Sequence, residues 1–223
     1  LLPVRMNYGD IMGSHRLRQA ICKLYTEQNI ENVVTTHGTI GANMLVHKTL
    51  VERGDKVVSI VPTYQQHYSI PESIGADVRL LRLNEQQGWL PDLNQLWDMT
   101  KDGVKLIALT NPNNPTGALI SEQMLRDIAE IASTAGAWIL CDEVYRGSNQ
   151  TGSGMSVAMA DIYEKGISTS GMSKVFSLAG LRLGWIAGPK YFIKDVMTHR
   201  DYDTISIGMI NDHLATLALE NYN

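Results

Sequence analysis

The sequence predicts an α/β fold built around a mostly parallel β-sheet. Short apolar runs, which are typical of strands covered on both faces, alternate with longer segments in which apolar residues recur at helical spacing. Gly54 and Gly136 stand where a helix would end ahead of the next strand. In open sheets of this kind ligands bind at the carboxyl ends of the strands, so the residues that follow each strand are the candidates for function.

Six apolar runs are predicted strands. They are Lys56–Ile60, Val78–Arg82, Val104–Leu109, Trp138–Cys141, Ile167–Ser170 and Leu183–Ala187. Six segments have helical periodicity. They are His15–Glu27, Gly41–Glu52, Gln65–Ile74, Asp92–Met99, Ser121–Thr134 and Lys190–His199. The segment from Gly147 to Gly154 is rich in Gly, Ser, Asn and Thr, and it is predicted to be a surface loop.

Composition and charge argue against several classes of protein. The 223 residues are 44% hydrophobic and 19% charged with a net charge of -4, which argues against a disordered chain and against a general nucleic-acid binder. No apolar run is long enough to cross a membrane, and the first six residues lack the pattern of a signal peptide. Two cysteines far apart in sequence fit a reducing, cytoplasmic compartment. Because the sequence lacks an initial Met and stops within a helical pattern, we expect a piece of a longer protein.

A carboxylate and a phenol follow the predicted strand that ends at Cys141. Asp142 stands at the carboxyl end of that strand, and Tyr145 follows three residues later. The pair suits a metal site, an acid–base pair or a partner for a ring nitrogen. The structural alternative is a helix cap beside a half-buried tyrosine, and the two residues by themselves leave these interpretations open.

Three further segments are candidates for ligand binding. The segment from Asn111 to Gly117 combines two X-Pro bonds with turn residues, which is more than a simple turn requires. Lys174 follows a predicted strand, where desolvation favours Schiff-base chemistry, and Arg182 eight residues later suits a phosphate. The small residues from Gly38 to Gly41 open a helix whose backbone amides suit the same ligand. An ordinary loop, a surface lysine and a common helix start are the structural alternatives.

The order and spacing of these segments resemble the large domain of fold-type I pyridoxal-phosphate enzymes, in the aminotransferase class I/II family. The resemblance covers nearly the whole chain. It rests mainly on Asn114-Pro115-Thr116-Gly117, on Asp142-Glu143-Val144-Tyr145, and on Ser173-Lys174 followed by Gly180-Leu181-Arg182-Leu183-Gly184-Trp185. It implies a three-layer sandwich in which residues 1–200 form the cofactor-binding large domain without the family's N-terminal arm. Residues 201–223 would then begin the connection to a C-terminal small domain.

The resemblance also implies a role for each matching residue, with pyridoxal 5′-phosphate as the cofactor. Lys174 would form the aldimine and then move the proton at the substrate's Cα. Asp142 would keep the pyridine nitrogen protonated, so that the ring can accept the electrons left at Cα. Tyr145 and Asn114 would hydrogen-bond the 3′-oxygen, and Tyr64 would stack on the ring.

The phosphate group has its own set of implied contacts. They are Gly38, Thr39, Ile40 and Arg182. Tyr8, five residues ahead of Gly13, would reach the phosphate of a neighbouring subunit, which implies a homodimer with shared active sites.

One position departs from the family's pattern. Gly171 stands three residues before the lysine, where a phosphate-binding serine is usual. Ser170 and Ser173 are the nearest hydroxyl groups in sequence, and we carry both as candidate phosphate contacts.

The expected reaction is transfer of an amino group between an amino acid and a 2-oxo acid. Two alternatives on the same scaffold are β- or γ-elimination and a ring-closing synthase reaction, which begin with the same removal of the Cα proton. A third alternative is a ligand-sensing domain of a regulator, which would add a basic DNA-binding domain that these residues do not contain. We expect no nucleic-acid partner, no membrane partner and no metal site.

Overall fold

Seven strands form one sheet in the computed structural model, which describes residues 7–148 and 154–222. The strands are β1 Val33–His37, β2 Lys56–Val61, β3 Asp77–Arg82, β4 Leu106–Thr110, β5 Trp138–Asp142, β6 Gly166–Gly171 and β7 Leu183–Ala187. Within the described residues the α-helices are α1 His15–Cys22, α2 Gly38–Leu50, α3 Gln66–Ile74, α4 Leu93–Thr100, α5 Glu122–Ala135, α6 Met159–Ile162, α7 Lys190–Arg200 and α8 Met209–Glu220. The predicted loop between Gly147 and Gly154 lies mostly outside the described residues.

The sheet is mostly parallel, as the sequence predicts. Its strand order is β1-β7-β6-β5-β4-β2-β3, and β7 runs antiparallel to both of its neighbours, β1 and β6. The pairs β2–β3, β2–β4, β4–β5 and β5–β6 are all parallel.

Helices cover both faces of the sheet. Ile107 and Leu109 of β4 pack with α4 and α5 on one face, whereas Leu106 and Ala108 pack with α2 and α7 on the other. A third apolar cluster joins α1 and α8 to β1 and β7. Since successive strand residues point to opposite faces and both faces are covered, these strands appear in the sequence as unbroken apolar runs. The three-layer sandwich is confirmed.

The sequence prediction missed one strand and one helix. Strand β1 has only two apolar residues, but Thr35 and Thr36 are also buried, because a β-branched side chain packs well on a pleated surface. Helix α6 was not predicted, and α8 corresponds to the helical pattern noted at the end of the chain, for which no bounds were predicted. Helix α1 ends at Cys22 instead of Glu27, and the backbone amides of Thr26 and Glu27 donate to the carboxylate of Asp161 at 2.9 and 3.1 Å.

Several carboxyl-terminal strand ends meet at one edge of the sheet. Thr110 at the end of β4 pairs with Asp142 at the end of β5, and Asp142 pairs with Thr169 of β6. Helix α2 begins at the same edge. There β7 comes so close that a Cβ added to Gly184 would lie 2.4 Å from the carbonyl carbon of Gly38. The sheet therefore brings β4, β5, β6 and the start of α2 to one place.

Candidate functional site

A cleft of about 280 Å³ opens at this edge. Nine of the residues singled out in the sequence line it: Thr39, Ile40, Tyr64, Asn114, Asp142, Tyr145, Ser173, Lys174 and Arg182. They come from five separate parts of the chain, which only the fold brings together. The cleft has a carboxylate at its floor, an amine at its wall and a helix start with a guanidinium at one end.

Three predicted site residues lie outside the lining. Gly38 is directly behind it, because a Cβ added there would be 2.9 Å from Nη2 of Arg182. Ser170 is buried, and its hydroxyl donates to the backbone carbonyl of Glu143 at 3.3 Å. Tyr8 is 77% exposed and does not line this cleft. Ser173 does line the cleft, so Ser173 and not Ser170 is the neighbouring hydroxyl that this chain offers there.

Asp142 is buried and already has fixed partners. Its Oδ2 accepts a hydrogen bond from Nδ2 of Asn43 at 2.8 Å, and its Oδ1 accepts one from the backbone amide of Val144 at 3.1 Å. Nε2 of His67 lies 3.7 Å from the same Oδ2. These donors fix the orientation of a buried carboxylate at the floor of the cleft.

The sequence analysis missed Asn43, Gln66 and His67. All three are buried polar residues on α2 and α3, among apolar neighbours such as Ala42 and Ile70. A polar side chain on the apolar face of a helix is the signal that would have found them, since buried polar groups normally have partners.

Lys174 lies in the turn after β6 and is exposed. Its Nζ is 5.6 Å from the centroid of the Tyr145 ring, and it has no hydrogen-bond acceptor in the described part of the chain. In this turn the Lys174 side chain is exposed and faces the cleft that it lines. The amine is therefore open to a ligand in the cleft.

The packing at the end of the cleft where α2 begins explains why residue 171 is a glycine. The hydroxyl of Thr39 is buried there and has no hydrogen-bond partner among the residues that the structure describes. A Cβ added to Gly171 would lie 2.7 Å from that Oγ1 and 2.9 Å from the carbonyl oxygen of Leu183. A side chain at 171 and the present position of Thr39 are therefore incompatible. The Thr39 hydroxyl takes up the space that a side chain at 171 would need.

Replacing Gly171 with Ser is expected to destabilise the protein by about 1–3 kcal/mol, because the new Cβ overlaps Thr39 and a backbone carbonyl that cannot move away. Adding Thr39→Ala should restore part of the loss. Urea unfolding at pH 7 measures both variants. Gly180→Ser is the matched control, because a Cβ there meets nothing within 4 Å. A Gly171→Ser protein as stable as the control would contradict this packing.

Two buried imidazoles lie behind Asp142. The ring centroids of His47 and His67 are 6.0 Å apart, and both side chains are inaccessible to solvent. Burial, followed by the proximity of His67, lowers the pKa of His47 from 6.5 to about 3. His47 is therefore neutral in the folded protein at any pH near neutrality.

This burial predicts a pH dependence of stability. The unfolded chain protonates His47 below pH 6.5 and the folded chain only near pH 3, so its contribution to stability falls as the pH falls between these values. Between pH 7 and pH 5 the loss from this group is about 2 kcal/mol. A His47→Leu variant should lack this part of the dependence, as measured by urea unfolding at both pH values. His199→Leu, at an exposed position, is the control. Identical pH dependence in His47→Leu and wild type would refute the prediction.

A buried ion pair supports the segment that carries Asp142 and Tyr145. Nε of Arg146 lies 3.0 Å from Oε2 of Glu143, and both side chains are buried. Oε1 of Glu143 accepts hydrogen bonds from the Ser168 hydroxyl at 2.6 Å and the Met159 amide at 2.8 Å. The pair thereby ties the end of β5 to β6, the strand that leads to Lys174.

The family comparison agrees with this geometry. The family model described as aminotransferase class I and II matches residues 3–218, which is nearly the whole chain. The chain belongs to this aminotransferase family. Its enzymes depend on pyridoxal 5′-phosphate, so the predicted family and cofactor are confirmed.

The curated relatives of this aminotransferase chain include enzymes of different activity. It is 28% identical over 213 residues to capreomycidine synthase of Streptomyces vinaceus, a match that covers 96% of the chain and 54% of the relative. It is 29% identical over 195 residues to an aspartate aminotransferase of Pyrococcus horikoshii, which covers 85% and 50%. The chain thus spans about half the length of these curated relatives.

Solved structures show the same fold. A PLP-dependent aminotransferase from Streptococcus suis superposes with a TM-score of 0.94 at 41% identity, over 98% of this chain and 58% of that one. Aspartate aminotransferase from Thermotoga maritima gives a TM-score of 0.90 at 23% identity, over 100% and 61%. The second likeness shows the fold alone.

Membrane-spanning helices and metal-binding clusters are both absent from the described residues. In residues 7–148 and 154–222, none of the helices combines the length and apolar character that crossing a membrane requires. The same ranges contain no group of three or more His, Cys, Asp or Glu side chains that is suited to hold a metal ion.

Proposed function

We propose that this protein is a pyridoxal-phosphate-dependent aminotransferase that moves an amino group between an amino acid and a 2-oxo acid. The observation that carries the proposal is the arrangement of the cleft. It contains the amine of Lys174, the buried carboxylate of Asp142, and the N-terminus of α2 beside the guanidinium of Arg182.

The residues fit the cofactor on features of this structure. The phosphate-sized end of the cleft has a buried hydroxyl, that of Thr39, which has no partner within residues 7–148 and 154–222. It also has the N-terminus of a 13-residue helix and a nearby guanidinium, which together favour an anion. A Cβ at Gly38 would crowd Nη2 of Arg182, so the glycine leaves room for that charge. At the floor, Asp142 offers an anion to a ring nitrogen.

When bound, the cofactor supplies an electron-withdrawing ring that stabilises negative charge at the substrate's Cα. Lys174 would bind the cofactor covalently through Nζ, and then hold and move the proton at Cα. Asp142 would hold the proton at the ring nitrogen. Tyr145 and Asn114 would donate to the 3′-oxygen, and Tyr64, which is partly exposed at the cleft, would cover one face of the ring.

The phosphate contacts proposed are Thr39, Ile40, Ser173 and Arg182, with Gly38 behind them. Nη1 of Arg182 already donates to the carbonyl of Ala179 at 2.8 Å and lies 3.5 Å from the Ser173 hydroxyl. These contacts hold the guanidinium and the hydroxyl side by side. Thr39 supplies the hydroxyl where Gly171 has none.

We further propose that residues 1–200 are the large domain of a longer enzyme and that the enzyme is a homodimer. Tyr8 supports the dimer, because it is strongly exposed and lies outside the cleft of its own chain. A tyrosine in that position is free to complete a neighbouring site. Light scattering after size-exclusion chromatography tests the dimer, and a monomeric protein would contradict it.

A second candidate is a ring-closing synthase reaction on the same scaffold. It is favoured by one observation, the similarity to a relative named capreomycidine synthase. Both reactions begin with loss of the Cα proton to Lys174, so the cleft residues are common to the two.

The experiment is a panel of amino acids offered to the purified protein with the cofactor and 2-oxoglutarate. Transamination is expected to give glutamate and the 2-oxo acid that matches the donor. Formation of a cyclic product, or of ammonia without glutamate, would favour the second candidate. Borohydride reduction and peptide mass mapping should find the cofactor on Lys174, and its absence there would refute both candidates.

A further inference from the structure

We propose that Gln66 and Asn43 form a hydrogen-bond relay from the backbone of α2 to Asp142, which holds that carboxylate as an acceptor. The proposal rests on the proposed function, because Asp142 is there the group that holds the proton of the cofactor's ring nitrogen. Gln66 and Asn43 act through Asp142 and are positioning residues.

The relay starts from a group whose polarity is fixed. The backbone carbonyl of Ile40 can only accept a hydrogen bond, and Nε2 of Gln66 donates to it at 3.0 Å. Because the Gln66 nitrogen is committed to that carbonyl, its Oε1 points the other way. This oxygen lies 3.4 Å from Nδ2 of Asn43, so Asn43 must present its nitrogen to Gln66.

The same Asn43 nitrogen also donates a hydrogen bond to the carboxylate of Asp142. Nδ2 of Asn43 donates to Oδ2 of Asp142 at 2.8 Å, while Oδ1 of Asn43 accepts from the hydroxyl of Thr169 at 2.6 Å. A flipped Asn43 amide would place its oxygen against Oδ2 of Asp142 and against Oε1 of Gln66. Three buried acceptors would then lack donors, which is costly in a low-dielectric interior.

These hydrogen bonds are shielded from water because the residues that form them are buried. Asn43 is 1% exposed, Thr169 is fully buried and Gln66 is 8% exposed, so water does not compete for their hydrogen bonds. The relay therefore keeps a donor on Oδ2 of Asp142, which is the arrangement that an anionic carboxylate requires. Oδ1 of Asp142 accepts from one backbone amide, Val144, and retains acceptor capacity for a ring N–H.

The test measures the ring nitrogen directly. Pyridoxal 5′-phosphate labelled with ¹⁵N at the ring is bound to wild type, Asn43→Leu, Gln66→Met and Thr169→Val, and its ¹⁵N shift is followed with pH. The expected result is a ring nitrogen that loses its proton at least one pH unit lower in Asn43→Leu and Gln66→Met. The dissociation constant of the cofactor should rise about tenfold in both variants, with Thr169→Val between these and wild type.

The controls separate the relay from general damage. Gln65→Met changes the exposed neighbour of Gln66 and should behave as wild type. If Asn43→Leu fails to fold by circular dichroism, Gln66→Met at the cleft wall decides the question. A folded Gln66→Met protein whose ring-nitrogen titration matches wild type would overturn the relay. A wild-type protein whose bound cofactor lacks the ring proton would instead overturn the role proposed for Asp142, and the relay with it.

Discussion

A Lys174→Ala variant is expected to lose amino-group transfer by about 10³-fold or more while keeping its fold. The variant removes the group proposed to bind the cofactor and to move the proton at Cα, and a positioned general base alone contributes about 10²–10⁴-fold. Because Lys174 is exposed and its amine has no acceptor in residues 7–148 and 154–222, little stability should change. Initial rates with saturating cofactor and the best amino donor measure the loss, and urea unfolding measures the stability.

The control for this variant is Lys194→Ala, at an exposed position on α7 that does not line the cleft. It should keep both rate and stability. Transfer activity in Lys174→Ala within tenfold of wild type would exclude the role proposed for this amine. Loss of the fold in Lys174→Ala would show that the residue has a structural contact, contrary to its exposure.

Replacing Arg146 with Met is expected to lower the free energy of unfolding by about 3–5 kcal/mol. The substitution leaves Glu143 buried without its counter-charge, and breaking a buried ion pair from one side typically costs this much. It also leaves the carbonyls of Ser156 and Leu24 without their donors, which now lie at 3.1 and 2.8 Å, and removes the guanidinium 4.8 Å above the Tyr25 ring. Urea unfolding at pH 7 measures the difference.

The pH dependence of this variant identifies the cause. Burial already raises the pKa of Glu143, and Arg146 opposes that rise. Without Arg146 the carboxyl should take up a proton more readily, so the destabilisation should be smaller at pH 5 than at pH 7. Arg126→Met is the control, since its pair with Glu122 is exposed on α5 and should contribute under about 1 kcal/mol. Equal losses in the two variants would mean that burial of the Glu143 pair is not what matters.

The strands were predictable because of where they lie in the fold. Residues such as Ile107 and Leu106 face opposite sides of a sheet that helices cover on both faces, so both positions are apolar and the run stands out in the sequence. Strand β1 lacked that signal, because half of its buried positions are threonines. The end of α1 was mispredicted: the helix ends at Cys22, and the amides of Thr26 and Glu27, at the end of the predicted helix, instead donate to a distant carboxylate, that of Asp161.

Some residues of the candidate site were likewise predictable from the sequence, and others were not. Lys174, Asp142 and Arg182 were found because each belongs to a recognisable motif beside a strand. Asn43 and Gln66 were not, because neither belongs to a motif on which the resemblance rests, although both lie among the buried apolar residues of their helices. Their partners, Asp142 and Ile40, belong to other elements, and only the packing of α2 and α3 brings them together.

The sequence by itself determined the fold class, the family and the order of the site residues, because these depend on local periodicity and on short motifs. The tertiary structure alone decided which hydroxyl stands beside the helix start, since Thr39 and Gly171 are far apart in the chain and compete for one volume. It also decided how Asp142 is held. The side-chain hydrogen bond on that carboxylate comes from Asn43, which no sequence pattern pairs with Asp142, and the orientation of the Asn43 amide is matched to that of Gln66.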